Sequence, residues 1–385
     1  MKPTKKLYAK NAYLTEFCAQ VLDCQPLPGG HFAVALDRTL FYPEGGGQPA
    51  DQGALGSARV LDVHERDGVI WHELPSPLGV GETVQGNIDW DRRFDHMQQH
   101  TGEHILSGVA CSQFGCSNVG FHIGQSTTTV DFDMPLSPAN LEELERAANW
   151  VVWKNVPVTV DTPDETELAN LSYRSKKEID GPVRIVTVGR YDVCACCGTH
   201  VDRTGQVGTI KIAAWEHYKG GVRLTLLCGA RAARDYAAKC RQLHALSTAL
   251  SAKPDAVEEA VARLQAENAA LRAQRAAVEN SLAAYLGRQL AGKDAPLVFE
   301  PALTADGARR LAAALCEGGA KAAGVFFGGE GGWNYAVAGG TADARVLTAA
   351  LHQALGGKGG GKPALCQGAV PADRQAIRAF WAQAL

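Results

Sequence analysis

Between Cys194 and His200 the chain reads CACCGTH, three cysteines and one histidine in seven residues, and far upstream the stretch DHMQQHTGEHILSG puts histidines at 96, 100 and 104. One ion held by both segments would pin distant parts of the chain together, and this constrains the fold more than any other feature. Histidines four residues apart stand one above the other on a helix face. A tetrahedral site takes that arrangement from a helical donor pair. His96, His100 and His104 form two overlapping pairs of this kind, and helix geometry does not choose between them. The second segment offers a thiolate and an imidazole as Cys-x-x-x-His through Cys196 and His200, with Cys194 and Cys197 as rival thiolates. A lone histidine is most often an ordinary core or surface residue; donors concentrated in two short segments point to a metal. Mixed imidazole and thiolate donors favour zinc, and one ion per chain is expected.

Around these segments the chain reads as an α+β multidomain protein. Residues 1–90 carry short alternating runs (HFAVALD, ARVLDVH, GVIWHELP) separated by Gly, Pro and Asp, which predicts a small β-barrel-like domain. Between two of the runs, RTLFYPEGGGQPADQG is too irregular for a strand. Residues 91–229 predict an α/β domain that holds the donors. Its first helix has Phe94, Met97, Ile105 and Val109 at helical spacing. A strand at TTTVDFD and a helix with Ser137 as N-cap and Pro138 as its first residue follow. PVRIVTVGRYDV and TIKIAAWEHY predict strands on either side of the cysteine cluster.

Residues 230–292 are Ala-rich and broken by Pro254. After it, Val257, Val261, Leu264, Leu271, Val278, Leu282 and Tyr285 alternate by fours and threes, with Asn268 and Arg275 in the two missing seam positions. That is a coiled-coil seam with polar breaks. Either a hairpin of the two arms around Pro254 or a second chain covers it, and a homodimer through 230–385 is expected. Residues 293–385 return to α/β: strands at APLVFEP, AAGVFFGG and NYAVAGG, then a Gly/Lys-rich loop, GGKGGGKP, and a final helix.

At 385 residues the chain exceeds one ordinary core. Its net charge of −3 leaves any nucleic-acid contact to local basic patches. No apolar run reaches the length of a membrane span, and no apolar segment follows the N-terminal lysines as in a secretory signal. The eleven cysteines read as reduced thiols outside the cluster, so a cytoplasmic location is expected. No Ser-His-Asp or Cys-His triad is legible. GGKGGGKP lacks the hydroxyl residue of a nucleotide-binding loop, and no ATP use is expected.

Four stretches in one order resemble a known family. HTGEHIL resembles the His-x-x-x-His of the editing domain of alanyl-tRNA synthetases, and CCGTHVDRTGQVG that domain's Cys-x-x-x-His motif. FYPEGGGQPADQG resembles its glycine motif, and GFHIG with TVDFD also fits. GGKGGGKP followed by LCQG resembles the synthetases' C-terminal domain. The whole is similar to the long form of the free-standing alanyl-tRNA editing proteins. The resemblance implies zinc on His100, His104, Cys196 and His200. It leaves His96 as a supporting or substrate-facing residue, and Cys197 stands where relatives commonly have glycine. It makes 91–229 a zinc-binding deacylase domain and 293–385 a tRNA-binding and oligomerisation domain.

The activity implied is hydrolysis of the ester joining serine or glycine to tRNA(Ala), with Ala-tRNA(Ala) spared. The zinc would hold the substrate's amino group or lower the pKa of the attacking water. A site that hydrogen-bonds the serine hydroxyl rejects the analogue lacking it. Thr39 matches the family's hydroxyl-bearing position. Gly45, Gly46 and Gly47, followed by Gln48, let backbone approach a substrate closely. Asn118 aligns with a polar residue of the synthetase pocket. Arg92, Arg93, Arg203, Lys219, Arg223, Lys358 and Lys362 are candidate RNA phosphate contacts. The competing reading is a tRNA-binding, dimer-forming scaffold with a structural zinc and no hydrolase activity. A metalloprotease is disfavoured because HTGEH lacks the H-E-x-x-H order.

Overall fold

A computed structural model of the protein describes residues 1–175, 181–329 and 331–385. It divides into two compact units, Met1–Leu243 and His244–Leu385. The boundary falls inside the helix Ala230–Ala249.

The first unit opens with a seven-stranded antiparallel sheet. Its order is Ala58–Val60, Gly53–Leu55, Thr83–Ile88, Glu16–Pro26, Phe32–Leu36, Val69–Leu74, Asp62–Arg66. In Glu16–Pro26 the side chains of Phe17, Ala19 and Val21 turn inward, as a period of two requires. They meet Val34, Leu36, Ile70 and Leu74 in one apolar core. Ala58–Val60 contacts Val69–Leu74 near the other end of the order, so the sheet is nearly closed. Residues 40–52 form no strand and hang from this sheet as a loop.

A second core lies between helices and two smaller sheets. One sheet is four-stranded, in the order Asn118–Ile123, Thr128–Phe132, Gly221–Cys228, Ile210–Tyr218; the other is Val158–Asp161, Ile185–Val188, Asp192–Ala195. Helix α1, Trp90–Phe114, begins at an Asp89 cap whose carboxylate accepts the Arg92 amide, and ends at Gly115 with φ of 69°. Met97, Ile105 and Val109 enter the core as the spacing predicts. So does an unbroken run of polar side chains, because α1 is covered on all sides. Each long amide there replaces a missing backbone partner: the Gln99 side chain donates to the Cys228 carbonyl and accepts from its amide, both at 2.9 Å. Helix α2, Pro138–Lys154, has the predicted Ser137 cap and first-turn proline.

Arg93 was expected at an RNA-facing surface. It is instead fully buried. Its guanidinium grips both oxygens of Asp51 and donates to the carbonyls of Ala12 (2.8 Å) and Leu40 (2.6 Å). A cation needs such a set of acceptors when water is excluded. The Asp51 carboxylate also accepts the Tyr42 amide at 2.6 Å.

In the second unit, the helix Val257–Gln289 carries the heptad pattern. Val261, Leu264, Leu271, Val278 and Tyr285 are all more than a third exposed. Beyond it, helices flank a five-stranded sheet in the order Leu297–Phe299, Ala322–Gly328, Trp333–Gly339, Leu365–Val370, Lys358–Lys362. Only the first pair is parallel. GGKGGGKP is therefore not the expected loop: Lys358–Lys362 is an edge strand paired with Leu365–Val370. Glycine has low strand propensity, but at Gly359 and Gly361 a side chain would collide with the neighbouring strand. A Cβ at Gly359 would lie 2.2 Å from the Gln367 carbonyl oxygen.

Two stability predictions follow from buried charge in the first unit. Asp51→Ala leaves Arg93 buried and unpaired, so unfolding by denaturant should show a loss of about 3–5 kcal/mol. His72 is fully buried, its Nδ1 on the Val34 carbonyl and its Nε2 on the Thr39 hydroxyl. Burial pushes its pKa from 6.5 down to about 4. The unfolded chain therefore binds this proton more readily. Stability is complete above pH 6.5 and falls by about 1.4 kcal/mol per unit as the pH drops toward 4. In His72→Gln, denaturation between pH 6.5 and 5 should lose about 2 kcal/mol less than in the native chain; an unchanged slope would remove His72 as the cause.

Candidate functional site

Helix α1, the turn after Asp192–Ala195, and the loop 40–52 converge on one cleft. His100, His104, Cys196 and His200 bring four donor atoms within 4.8 Å of one another. The Cys196 sulfur lies 3.3 Å from His100 Nε2 and 3.4 Å from His200 Nε2. Ligands at ordinary zinc bond lengths in a tetrahedron are separated by roughly 3.5 Å, so the spacing fits. His96 is buried but stands outside the donor group, and its Nδ1 has no hydrogen-bond partner among the described residues. Cys194 groups with His104 and Asp192, not with the other three donors, and Cys197 is exposed and in neither group.

Every histidine of the cluster is held by its other ring nitrogen. His100 Nδ1 donates to the Gln48 side-chain carbonyl at 2.9 Å, His104 Nδ1 to Asp192 at 2.9 Å, and His200 Nδ1 meets the Thr101 hydroxyl at 3.2 Å. With Nδ1 occupied, each Nε2 faces the common centre. Such outer partners fix the tautomer and ring angle of metal ligands. Asp192 is itself gripped by Arg174, Nε to Oδ1 at 2.7 Å and Nη2 to Oδ2 at 2.9 Å. Gln48 is locked by the Thr199 amide (3.1 Å) and hydroxyl (2.9 Å). The loop that carries Gln48 thus reaches across to the strand turn that carries His200.

The electrostatics suit a cation. Burial would raise the Cys196 thiol, but the imidazoles of His100 and His200 outweigh it and hold the thiol well below its ordinary value. Burial likewise opposes ionisation of Asp192, yet His104 and Arg174 keep its pKa below the usual carboxylate value. Burial lowers His200 to about 3, leaving a neutral imidazole. A thiolate and neutral imidazoles are the metal-binding forms; His104, whose pKa is opposed by burial but held well above its ordinary value by Asp192 and Cys196, would release its proton to a metal. These four residues can hold one metal ion.

The cleft above them has a volume of about 570 Å³, within the range for a small ligand. Gly46 and Gly47 line it beside Gly120 and Phe121; Glu103, Arg174, Arg184 and Cys194 also face it. Gly47 has φ of 83°, and a Cβ there would lie 2.4 Å from the Phe121 carbonyl oxygen, so neither its conformation nor its neighbour admits a side chain. The Phe121 ring lies tilted against the His100 ring, with centroids 4.8 Å apart.

Other expected residues are placed differently. Thr39 is fully buried and does not line the cleft; its hydroxyl is spent on His72 and the Phe41 amide. Asn118 lies behind the wall, its amide donating to Glu103 and Ser107. Gly45 does not line the cleft, and its carbonyl accepts from the Tyr42 hydroxyl. Half-buried Arg92 donates to the Ala50 carbonyl. Exposed Arg203 caps the Asn155 carbonyl. Arg223 pairs with Asp131 through two bonds of 2.7 Å and stacks on Tyr218. Lys219 lies at the tight turn beside it, with φ of 48°. Lys358 and Lys362 are exposed on their edge strand.

Sequence reasoning missed Asp192, Thr101, Thr199 and Arg184. One signal was present. Gly108 sits inside α1 because a Cβ there would lie 2.3 Å from the Tyr191 carbonyl oxygen. A glycine within a helix marks a close approach, and this one brings Asp192 up to His104.

Removing one of the four donors should abolish tight metal binding: Cys196→Ala and His104→Ala should purify with close to no bound metal. Asp192→Asn keeps all donors and should weaken metal affinity by about 10–100-fold in competition with a chelator. Unchanged affinity would mean that Asp192 does not orient a ligand.

Residues 183–225 match the model of the threonyl and alanyl tRNA synthetase second additional domain, and residues 9–92 that of class II (A) tRNA synthetases. The chain is 33% identical over 300 residues to the alanyl-tRNA editing protein Aarsd1-A of Xenopus laevis, covering 74% of this chain and 73% of that one. It is 33% identical to the mouse Aarsd1 editing protein, with 67% of each chain covered. An alanine–tRNA ligase of Halorubrum lacusprofundi is 33% identical over 394 residues, 96% of this chain and 42% of the ligase.

Proposed function

The chain belongs to the alanyl-tRNA editing protein family, and on that premise we propose that it hydrolyses the ester of serine or glycine wrongly attached to tRNA(Ala) while sparing Ala-tRNA(Ala). The observation that carries the reading is the four-donor cluster open to a cleft walled by bare glycine backbone. A purely structural metal would be closed off from such a cleft.

Zinc is the ion that mixed thiolate and imidazole donors favour, held by His100, His104, Cys196 and His200. When bound it supplies a Lewis acid that polarises an ester carbonyl or acidifies water. The chain's own groups do the rest. Gln48 and Asp192 hold His100 and His104 in one tautomer, so neither ring reorients during turnover. Gly46 and Gly47 bring main chain, not side chain, to the aminoacyl group. Phe121 covers one side of His100 and limits water there. Thr39 acts on selectivity through the loop it precedes, since its hydroxyl is already bonded. Asn118 acts by orienting Glu103 and Ser107.

RNA is met by exposed cations, with Lys358 and Lys362 on the glycine edge strand and Lys219 and Arg203 on the first unit. The exposed seam of Val257–Gln289 supports a homodimer through 230–385. The domains of this reading are 1–90, 91–229, 230–292 and 293–385.

Purified protein should deacylate Ser-tRNA(Ala) or Gly-tRNA(Ala) at least tenfold faster than Ala-tRNA(Ala), and Cys196→Ala of verified fold should be inactive. Folded, zinc-loaded protein that hydrolyses none of the three would establish the scaffold with a structural zinc.

A further inference from the structure

Helix α2 leaves two large aromatic side chains in water. Its inward stripe, Leu144, Ala148, Val151 and Val152, packs into the second core. Trp150 and Trp153, three residues apart and so on one face, lie off that stripe and are 54% and 68% exposed. Their rings meet edge to face with centroids 6.4 Å apart. Beside them residues of α2 and of the C-terminal half of α1 line a groove of about 570 Å³. Buried Val109 and Val151, the two tryptophans and Tyr191 give it an apolar lining, and Ser112 and Gln113 add hydrogen-bonding groups. Apolar surface gathered in the open in this way marks a contact site.

The charge around the groove selects the partner. Arg146 lines it, Lys154 holds its ammonium 4.6 Å from the Trp150 ring centroid, and Arg190 its guanidinium 5.5 Å from the Tyr191 centroid. All three cations are exposed. Among the described residues none of them forms an ion pair, and the Glu145 carboxylate nearby is taken by Lys211 at 2.8 Å. Glu143 is the one acidic residue of the lining. Three cations against one carboxylate, in a chain of net charge −3, favour an anionic partner. Open rings interleaved with cations are what unpaired nucleotides bind: bases stack on the rings and phosphates meet the cations. A double helix hides its base faces and cannot use the tryptophans. We propose that this groove binds unpaired RNA nucleotides, with a base stacked on Trp153 and the flanking phosphates met by Arg146, Lys154 and Arg190. Lys154 already lies against Trp150, which leaves Trp153 the more open ring. Val109 is five residues, about 7.5 Å of helix rise, past His104, and Tyr191 directly precedes Asp192, which holds His104. The identity of the strand rests on the editing reading above, under which it is the unpaired 3′ end of the substrate tRNA.

The test labels the zinc-loaded full chain with fluorotryptophan and titrates it with the single-stranded tetranucleotide ACCA, followed by fluorine NMR. Trp150→Phe and Trp153→Phe assign the two resonances. Of the seven tryptophans, Trp150 and Trp153 should respond and the others should not. Trp153→Ala changes an exposed side chain, so the fold is spared, and binding read at Trp150 should weaken by about tenfold or more. Replacing Arg146 and Arg190 by Gln should flatten the dependence of log affinity on log salt by about 0.7 per cation. The same sequence paired in an RNA duplex should leave both resonances unmoved. The proposal is overturned if neither resonance responds to ACCA, if the response is confined to other tryptophans such as Trp333, or if the duplex acts equally. It is also overturned if the two resonances move with protein concentration and not with RNA, which would make the patch a contact between copies of the chain. Binding of ACCA needs no hydrolysis, so the editing reading fails separately. A response at Trp153 in protein that deacylates nothing keeps the groove and discards editing; selective deacylation with Trp153 unmoved does the reverse.

Discussion

Arg93 holds the site together from below. One buried guanidinium binds Asp51, Ala12 and Leu40, three points on the loop-bearing N-terminal region, and it does so from the first turn of α1. The histidines lie further along the same helix. The ion pair therefore sets the distance between the glycine loop and the helix face that carries the donors. Gln48, three residues before Asp51, reaches His100 from this loop. A buried pair of charges is poor stabilisation compared with apolar packing, and its use here is consistent with a need for fixed geometry.

From that joint the constraints run outward in a chain of hydrogen bonds. Arg93 holds Asp51; the loop presents Gln48; Gln48 holds His100 and Thr199; Thr199 precedes His200. On the other side Gly108 admits the Asp192 strand, Arg174 orients Asp192, and Asp192 holds His104. A Cβ at Gly198 would lie 2.2 Å from the His100 ring, so the donor turn also needs its glycine. Each donor is placed by packing several residues away, which gives the cluster one arrangement and not an ensemble.

Much of this was legible in the sequence. The two donor segments announce themselves by spacing, and the resemblance to the editing family narrows three histidines to two. The Ser137 cap and the strands around the cysteine cluster follow from local chemistry. The outer partners do not. Asp192 is an ordinary strand aspartate until a helix lies beside it, and Arg93 looks like any surface arginine before a helix until Asp51 folds over it. Thr39 stands at the hydroxyl-bearing position of the resemblance, yet its hydroxyl turns to His72, which is 33 positions away. The edge strand Lys358–Lys362 was hidden by its glycines, whose strand conformation comes from the neighbour they pack against. Local propensity speaks for capping and alternation; pairings far apart in sequence are set only by the tertiary fold.

The central claim is that three imidazoles and one particular thiolate form a metal centre at the floor of the cleft. X-ray absorption at the zinc edge, on full-length protein loaded with one equivalent of zinc, tests it most directly. The account predicts one sulfur at about 2.3 Å and nitrogen or oxygen neighbours at about 2.0–2.1 Å. Two sulfur neighbours would bring in Cys194 or Cys197 and contradict the donor set on which the proposed chemistry rests.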